Sequence, residues 1–323
     1  MLRAVSLLCL LLIALPALAQ TVWEMPTEYP ANSMPGEGIA TFARLVGRKS
    51  GGRLVVQPSF DAGKGIKSAG LLAAVRDGRV QAADAFAGAL DAVHPIFALS
   101  SLPFLATSIE DAKRLADLAR PAYEAVLAAS GQKLLYVTPW PPSGLWSKRP
   151  VSNADELARL SIRTYDATST AVMRAAGANA ANLSFADAVP KLRDGTLDAA
   201  LSSGDGGAGR RLWEMLPYFT DINYAVPLSL ATVSTASYEA LPEELRRAVD
   251  SAAAETEARQ WATIRTRLSE NYARMASNGV TISTAVPQDL QAALRRAAQG
   301  AIDDWLRQAG PSGAAILAAY RKR

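Results

Sequence analysis

Leu72-Ala73-Ala74-Val75-Arg76-Asp77-Gly78-Arg79-Val80-Gln81-Ala82-Ala83-Asp84 has a second version at Val189-Pro190-Lys191-Leu192-Arg193-Asp194-Gly195-Thr196-Leu197-Asp198-Ala199-Ala200. In both, an amphipathic helix runs up to a glycine suited to the left-handed cap, and a short apolar strand follows. The flanks repeat in the same order. A strand over 21–25, a helix over 36–48 and a strand over 53–60 precede the first copy. A strand over 160–164, a helix over 168–176 and a strand over 180–183 precede the second. This strand–helix alternation predicts an α/β fold built twice: two similar lobes, each with a parallel or mixed sheet and helices on both faces. The C-terminal third reads as helical. Pro242-Glu243-Glu244-Leu245 opens a helix with acids in its first turn, where they complement the dipole. It runs to Met275, stops at Asn278-Gly279, and at about 30 residues and ~45 Å is long enough to brace both lobes. A further helix is expected from Pro287 to near Gln308.

Composition agrees with two globular units. The chain has 323 residues, half of them apolar and a fifth charged, with a net charge of +4. One cysteine, Cys9, and one histidine, His94, exclude a disulfide framework, an iron–sulfur cluster and any paired-His metal centre. Neither a cofactor nor a metal is expected. The basic excess is dispersed, which gives nucleic-acid binding no support. Residues 1–19 have the order of a secretory signal peptide: Arg3, an apolar run from Ala4 to Leu15, then Ala17-Leu18-Ala19 before the expected cut. That places the mature chain in the periplasm, exported by the Sec route. The expected organisation is signal peptide 1–19, lobe I 20–145, lobe II 146–240, and bracing helices 241–323.

In open α/β sheets ligands gather beyond the carboxyl ends of the strands. Here those stretches are 28–33, 84–89, 163–170 and 202–207. Arg163 ends a predicted strand just before a helix start, where a guanidinium can hold a carboxylate bidentately or simply pair with Asp166. Ser202 and Ser203 open a glycine-rich loop that either offers hydroxyls and close backbone approach or is only a flexible turn. Trp140 and Trp146 lie in a proline-rich stretch and can wall a pocket or fill a core. Phe185, at a helix start, can pack on a ligand or on Leu183. Glu28, Tyr29, Tyr165 and Asn223 complete the candidate ligand-binding set, and no catalytic residue is assigned. Lys64 and Lys67 read as solvated surface lysines rather than ligand contacts, and His94 as structural.

Taken in order, several stretches resemble the extracytoplasmic solute-binding proteins (DctP type) of tripartite ATP-independent periplasmic, or TRAP, transporters. They are Phe42 to Val56, Ala74 to Gly78, Leu102 to Leu105, Asp155 to Arg163, Gly177 to Asn179, Leu183 to Asp187, Leu192 to Asp198 and Leu241 to Leu245. The resemblance implies a monomeric two-lobed binding protein, not an enzyme, that closes on a solute and passes it to the small and large membrane subunits of a permease. It places Arg163 on the family's carboxylate-clamping arginine, Phe185 on a cleft aromatic, and Ser202 where many relatives carry Asn. There are departures. Gly144-Leu145-Trp146-Ser147 lacks the second arginine of many relatives, and Ser202-Ser203 stands in place of Glu-Asn. Both remove groups suited to a doubly charged ligand, so a monocarboxylate is expected ahead of a dicarboxylate or sugar acid. The alternatives of another class are an exported hydrolase using acidic residues and a sensory ligand-binding partner.

Overall fold

The computed structural model describes residues 20–322, so the expected signal peptide lies outside the described residues. The first repeat folds as β1 (Thr21–Pro26), α1 (Met34–Lys49), β2 (Leu54–Ser59), α2 (Ser68–Arg76) and β3 (Ala82–Phe86). Two 3-10 turns, Ala87–Leu90 and Pro95–Ser101, lead to α3 (Ile109–Ala129) and β4 (Gln132–Pro139). The chain then enters the second lobe through β5 (Ser143–Ser147) and α4 (Ala154–Ala158). There the second repeat folds as β6 (Ser161–Thr164), α5 (Ala167–Ala175), β7 (Asn179–Asn182), α6 (Phe185–Arg193) and β8 (Ala199–Ser203). It ends in α7 (Gly204–Gly209) and β9 (Tyr218–Thr220), before β10 (Leu228–Ser234) and α8 (Thr235–Glu239). The remainder is α9 (Glu243–Ser277), β11 (Thr281–Ser283), α10 (Gln288–Ala297) and α11 (Ala301–Arg321).

The two repeated glycines do what the pattern requires. Gly78 and Gly195 take φ of 71° and 86°, left-handed geometry that strains any residue with a Cβ. Helix starts are equally local. Ser33 caps α1 by accepting from Gly36 N–H, and Asp166 and Ser169 form a reciprocal capping box on α5.

The sheets are mixed. In lobe I, β1 and β2 pair in parallel, while β10 lies between β3 and β4 and is antiparallel to both. Lobe II carries a six-stranded sheet, β11-β9-β5-β8-β6-β7, with β6 parallel to β7 and β8 and with β5 antiparallel to β8 and β9. Two expected boundaries therefore move. Leu228–Ser234, inside the span assigned to lobe II, returns to complete the lobe I sheet, and the boundary at 145 cuts through β5. Such a return joins segments about a hundred residues apart and leaves no local pattern.

Helix α9 is the expected brace and has 35 residues. Its buried face is aliphatic where it packs on α1 and β4 (Leu245, Val249, Ala252). It becomes polar towards α7, where Arg267 and Asn271 are buried. Asp205 of α7 explains the change. Its carboxylate accepts from Asn271 Nδ2 at 3.1 Å and from the Met34 N–H that opens α1 at 2.7 Å, and Arg267 lies 3.6 Å away while also pairing with Glu37. The single helix expected after Pro287 is two helices, divided at 298–300. Helix α11 continues to Arg321 through a kink at Gly310, where φ is 62°, ahead of Pro311. Helix α10 packs on α4 and α5 of lobe II, and α11 on α3 of lobe I. No helix among the described residues is long and apolar enough to cross a membrane.

Candidate functional site

The carboxyl ends of β1, β3, β6 and β8 converge on a pocket of about 300 Å³ lined by both lobes. Its cation is Arg163, the third residue of β6, only 3% exposed. Nε donates to Leu183 O at 2.8 Å and Nη1 to Leu201 O at 3.0 Å. A guanidinium has five N–H groups, so most of its donor capacity is left for the pocket. No carboxylate pairs with it among the described residues. The alternative partner, Asp166, bonds instead to Ser169, at 2.6 Å to the hydroxyl and 2.7 Å to the N–H. Burial without a countercharge pulls the Arg163 pKa below the usual guanidinium value, a trend that Tyr29 and Glu28 oppose. The site thus holds a desolvated positive charge that an anion would neutralise.

The walls are aromatic. Phe185 opens α6 and lies beneath Arg163, with the guanidinium carbon 4.0 Å from the ring centroid. Tyr29 meets Trp140 edge-on at 4.6 Å, and Phe86 meets Tyr165 edge-on at 5.3 Å. Trp140 is fixed by its Nε1 bond to Ser229 Oγ (3.0 Å) and by its own N–H to Pro227 O (2.9 Å). Polar capacity comes from the hydroxyls of Ser143, Ser202 and Ser203 beside the Gly206 backbone. Ser143 Oγ accepts from Tyr165 OH at 3.3 Å.

Seven of the ten expected ligand contacts come together here: Tyr29, Trp140, Arg163, Tyr165, Phe185, Ser202 and Ser203. The stretch read as either a ligand loop or a flexible turn is a strand end followed by a helix start, and Ser202, Ser203 and Gly206 of it line the pocket. Ser202 and Ser203 end β8, and Ser203 caps the short helix α7 by accepting from Gly206 N–H at 3.0 Å. The glycines are there for contact: a Cβ at Gly206 would fall 2.6 Å from Ser202 Oγ, and one at Gly207 only 2.3 Å from the Trp146 indole.

Trp146 is therefore a core residue, a correction to its expected place at the ligand. It is fully buried on β5, packs edge-on against Phe219 at 5.2 Å and donates to Ser203 O at 3.3 Å. Strand alternation is the reason: with Ser143 turned to the pocket, Trp146 falls on the opposite face. Asn223 is also elsewhere. Its amide donates to Thr107 O at 2.8 Å and tethers the 221–227 crossover. Glu28 is buried at the outer mouth of the cleft, where its carboxylate accepts from the Ser68 N–H that opens α2 (2.8 Å). Among the lesser candidates, Lys64 pairs with Glu24 and Lys67 with Asp187, while His94 Nδ1 accepts from Ile96 N–H and caps a 3-10 turn.

Sequence reasoning did not name Phe86, Ser143 or Pro227, and reached Gly206 only as part of the glycine-rich stretch after Ser203. Phe86 and Gly206 fall in strand-end stretches that position alone had marked, and Ser143 was hidden by the undetermined face of β5. Among the described residues no group of three or more His, Cys, Asp or Glu side chains is placed to hold a metal ion.

Residues 25–308 match the family described as Bacterial extracellular solute-binding protein, family 7. A curated relative, a solute-binding protein of Chromohalobacter salexigens, is 24% identical over 266 residues, 81% of this chain and 78% of its own length. Among solved structures, DctP7, a Bordetella pertussis extracytoplasmic solute receptor binding pyroglutamic acid, superposes with a TM-score of 0.90 at 29% identity, covering 94% of this chain and 100% of that one. A marine metagenome TRAP solute-binding protein specific for pyroglutamate gives a TM-score of 0.89 at 27% identity, covering 94% and 99%.

Proposed function

Because the chain belongs to family 7 of the bacterial extracellular solute-binding proteins, we propose that it captures a small monocarboxylate in the periplasm for a TRAP permease, with pyroglutamate as the candidate ligand. The observation that carries this reading is the buried Arg163 guanidinium, which has no acid partner among the described residues and keeps donors free towards the pocket. A carboxylate there gains two charge-assisted bonds and neutralises a charge whose desolvation is already in place. The rest of the pocket narrows the choice. Its lining offers one cation, flat aromatic walls and three serine hydroxyls. That complement suits one carboxylate on a compact ring bearing an amide. Two relatives at 27–29% identity bind such a molecule, which supports the same choice.

Capture proceeds without bond chemistry. The ligand touches both lobes, so it binds the closed arrangement better than the open one and shifts the population towards it. The proposal includes Sec export with cleavage after Ala19 and hand-over to the small and large membrane subunits. Intact mass of the protein recovered from the periplasm tests the cleavage site.

A thermal-shift panel of pyroglutamate, proline, glutamate, succinate and glucuronate tests the ligand class, since a ligand selective for the native state raises the melting temperature. Pyroglutamate is expected to give the largest shift. A larger shift from succinate or glucuronate would overturn the ligand choice, and turnover of bound pyroglutamate, seen by mass spectrometry, would overturn binding without chemistry.

A further inference from the structure

Lys67, the residue before α2 in lobe I, reaches across the cleft to Asp187 in lobe II, with Nζ 2.8 Å from Oδ1 and 2.7 Å from Oδ2. Both side chains are half-exposed, at 46% each, so the pair sits at the rim rather than in the pocket. Beneath it the cleft widens to about 630 Å³, and the same space reaches Arg163 at its inner end. The charged groups facing this mouth are Glu28, Lys67, Asp91, Arg163 and Asp187. Glu28 holds the Ser68 N–H, and Asp91 approaches the Ala167 N–H at 3.4 Å. Lys67 is thus the outer cation of a mouth otherwise rimmed by acids.

We propose that Lys67 attracts the incoming carboxylate while the cleft is open and then, by pairing with Asp187, latches the lobes closed over it. This rests on the carboxylate-capture reading above. The two residues belong to different lobes, so opening the cleft separates them and frees the ammonium. Closure returns Lys67 to Asp187, which removes it as a competitor of Arg163 for the ligand. The latch also bears on the pocket. The Asp187 carboxylate accepts from Ser184 Oγ at 2.8 Å, and Ser184 Oγ in turn accepts from Asp187 N–H at 3.2 Å, a reciprocal cap at the start of α6. The first residue of α6 is Phe185, the ring beneath Arg163. Lys67 therefore holds the helix end that presents the pocket's aromatic floor.

Stopped-flow tryptophan fluorescence with pyroglutamate on the mature protein separates the two roles. Lys67→Met is expected to slow association and speed dissociation. Asp187→Asn is expected to speed dissociation as well but to leave association as fast or faster, because it removes a negative charge from the mouth. Each change should be roughly 1.5- to 5-fold, the range of an exposed ion pair, and should shrink in high salt. The double variant should dissociate no faster than either single one, and Lys67→Arg should restore both rates. Wild-type rates in Lys67→Met, or independent effects of the two substitutions on dissociation, would overturn the latch and leave the binding function standing. A wild-type protein that answers to no carboxylate would instead overturn the reading beneath it.

Discussion

The guanidinium carbon of Arg163 lies 4.0 Å from the centre of the Phe185 ring, and its protein hydrogen bonds go to two backbone carbonyls, not to an acid. The stack fixes the plane of the guanidinium, and the carbonyls fix its rotation. What stays free is the edge that a carboxylate can grip.

Removing this group should be severe. Breaking a buried ion pair by deleting one partner costs roughly 3–5 kcal/mol, equivalent to at least a hundredfold in affinity. Arg163→Ala should therefore abolish measurable binding in calorimetry. Arg163→Lys should recover only part of it, because an ammonium lacks the bidentate fork.

The two neighbouring tryptophans should behave differently. Trp140 walls the pocket, so Trp140→Ala should weaken binding and diminish the ligand-induced fluorescence change. Trp146 is buried under α7, and Trp146→Ala should lower the ligand-free melting temperature sharply, at about 3–5 kcal/mol for a large-to-small core change. Equal effects of both substitutions on affinity and equal effects on stability would contradict the division between wall and core.

Gly207 should not accept a side chain. A Cβ would sit 2.3 Å from the Trp146 indole, so Gly207→Ala forces α7 or the indole to move. Overpacking of this kind costs about 1–3 kcal/mol. The displacement also shifts Gly206 and Ser203, which line the pocket, so chemical denaturation and ligand titration should both record the loss.

A buried acid gives stability a pH dependence. Asp84 on β3 is fully buried; one oxygen lies 3.4 Å from Thr27 Oγ1 and the other makes no hydrogen bond of good geometry among the described residues. Burial pushes its carboxyl from the ordinary value near 3.8 up to about 7. Between these values the unfolded chain releases the proton while the folded chain keeps it, so stability falls as pH rises from about 4 to 7 and levels off above. Asp84→Asn removes this slope. Its melting temperature relative to wild type should rise from pH 5 to pH 8, by the equivalent of a few kcal/mol; a difference constant across that range would contradict the assignment.

Much of this was legible in the sequence because the signals are local. The helix-ending glycines Gly78 and Gly195, the opening of α9 after Pro242 and its stop before Gly279 each depend on a few adjacent residues. Arg163 was legible too, through its place at a strand end and the family resemblance. Features that depend on register or on distant pairing were not. The face of β5, which separates Ser143 from Trp146, follows from pairing with β8. The return of β10 to lobe I joins segments far apart in the chain. Lys67 read as a solvated lysine because its partner, Asp187, is 120 positions away.

The central claim, that one carboxylate is held by Arg163, is tested most directly by calorimetric titration of the mature protein with pyroglutamate and with its carboxamide analogue. The pair differs only in the group that Arg163 is said to grip. Pyroglutamate should bind near the micromolar range, about −8 kcal/mol, and the carboxamide at least a hundredfold more weakly. Binding of the carboxamide as tight as that of pyroglutamate would contradict the account.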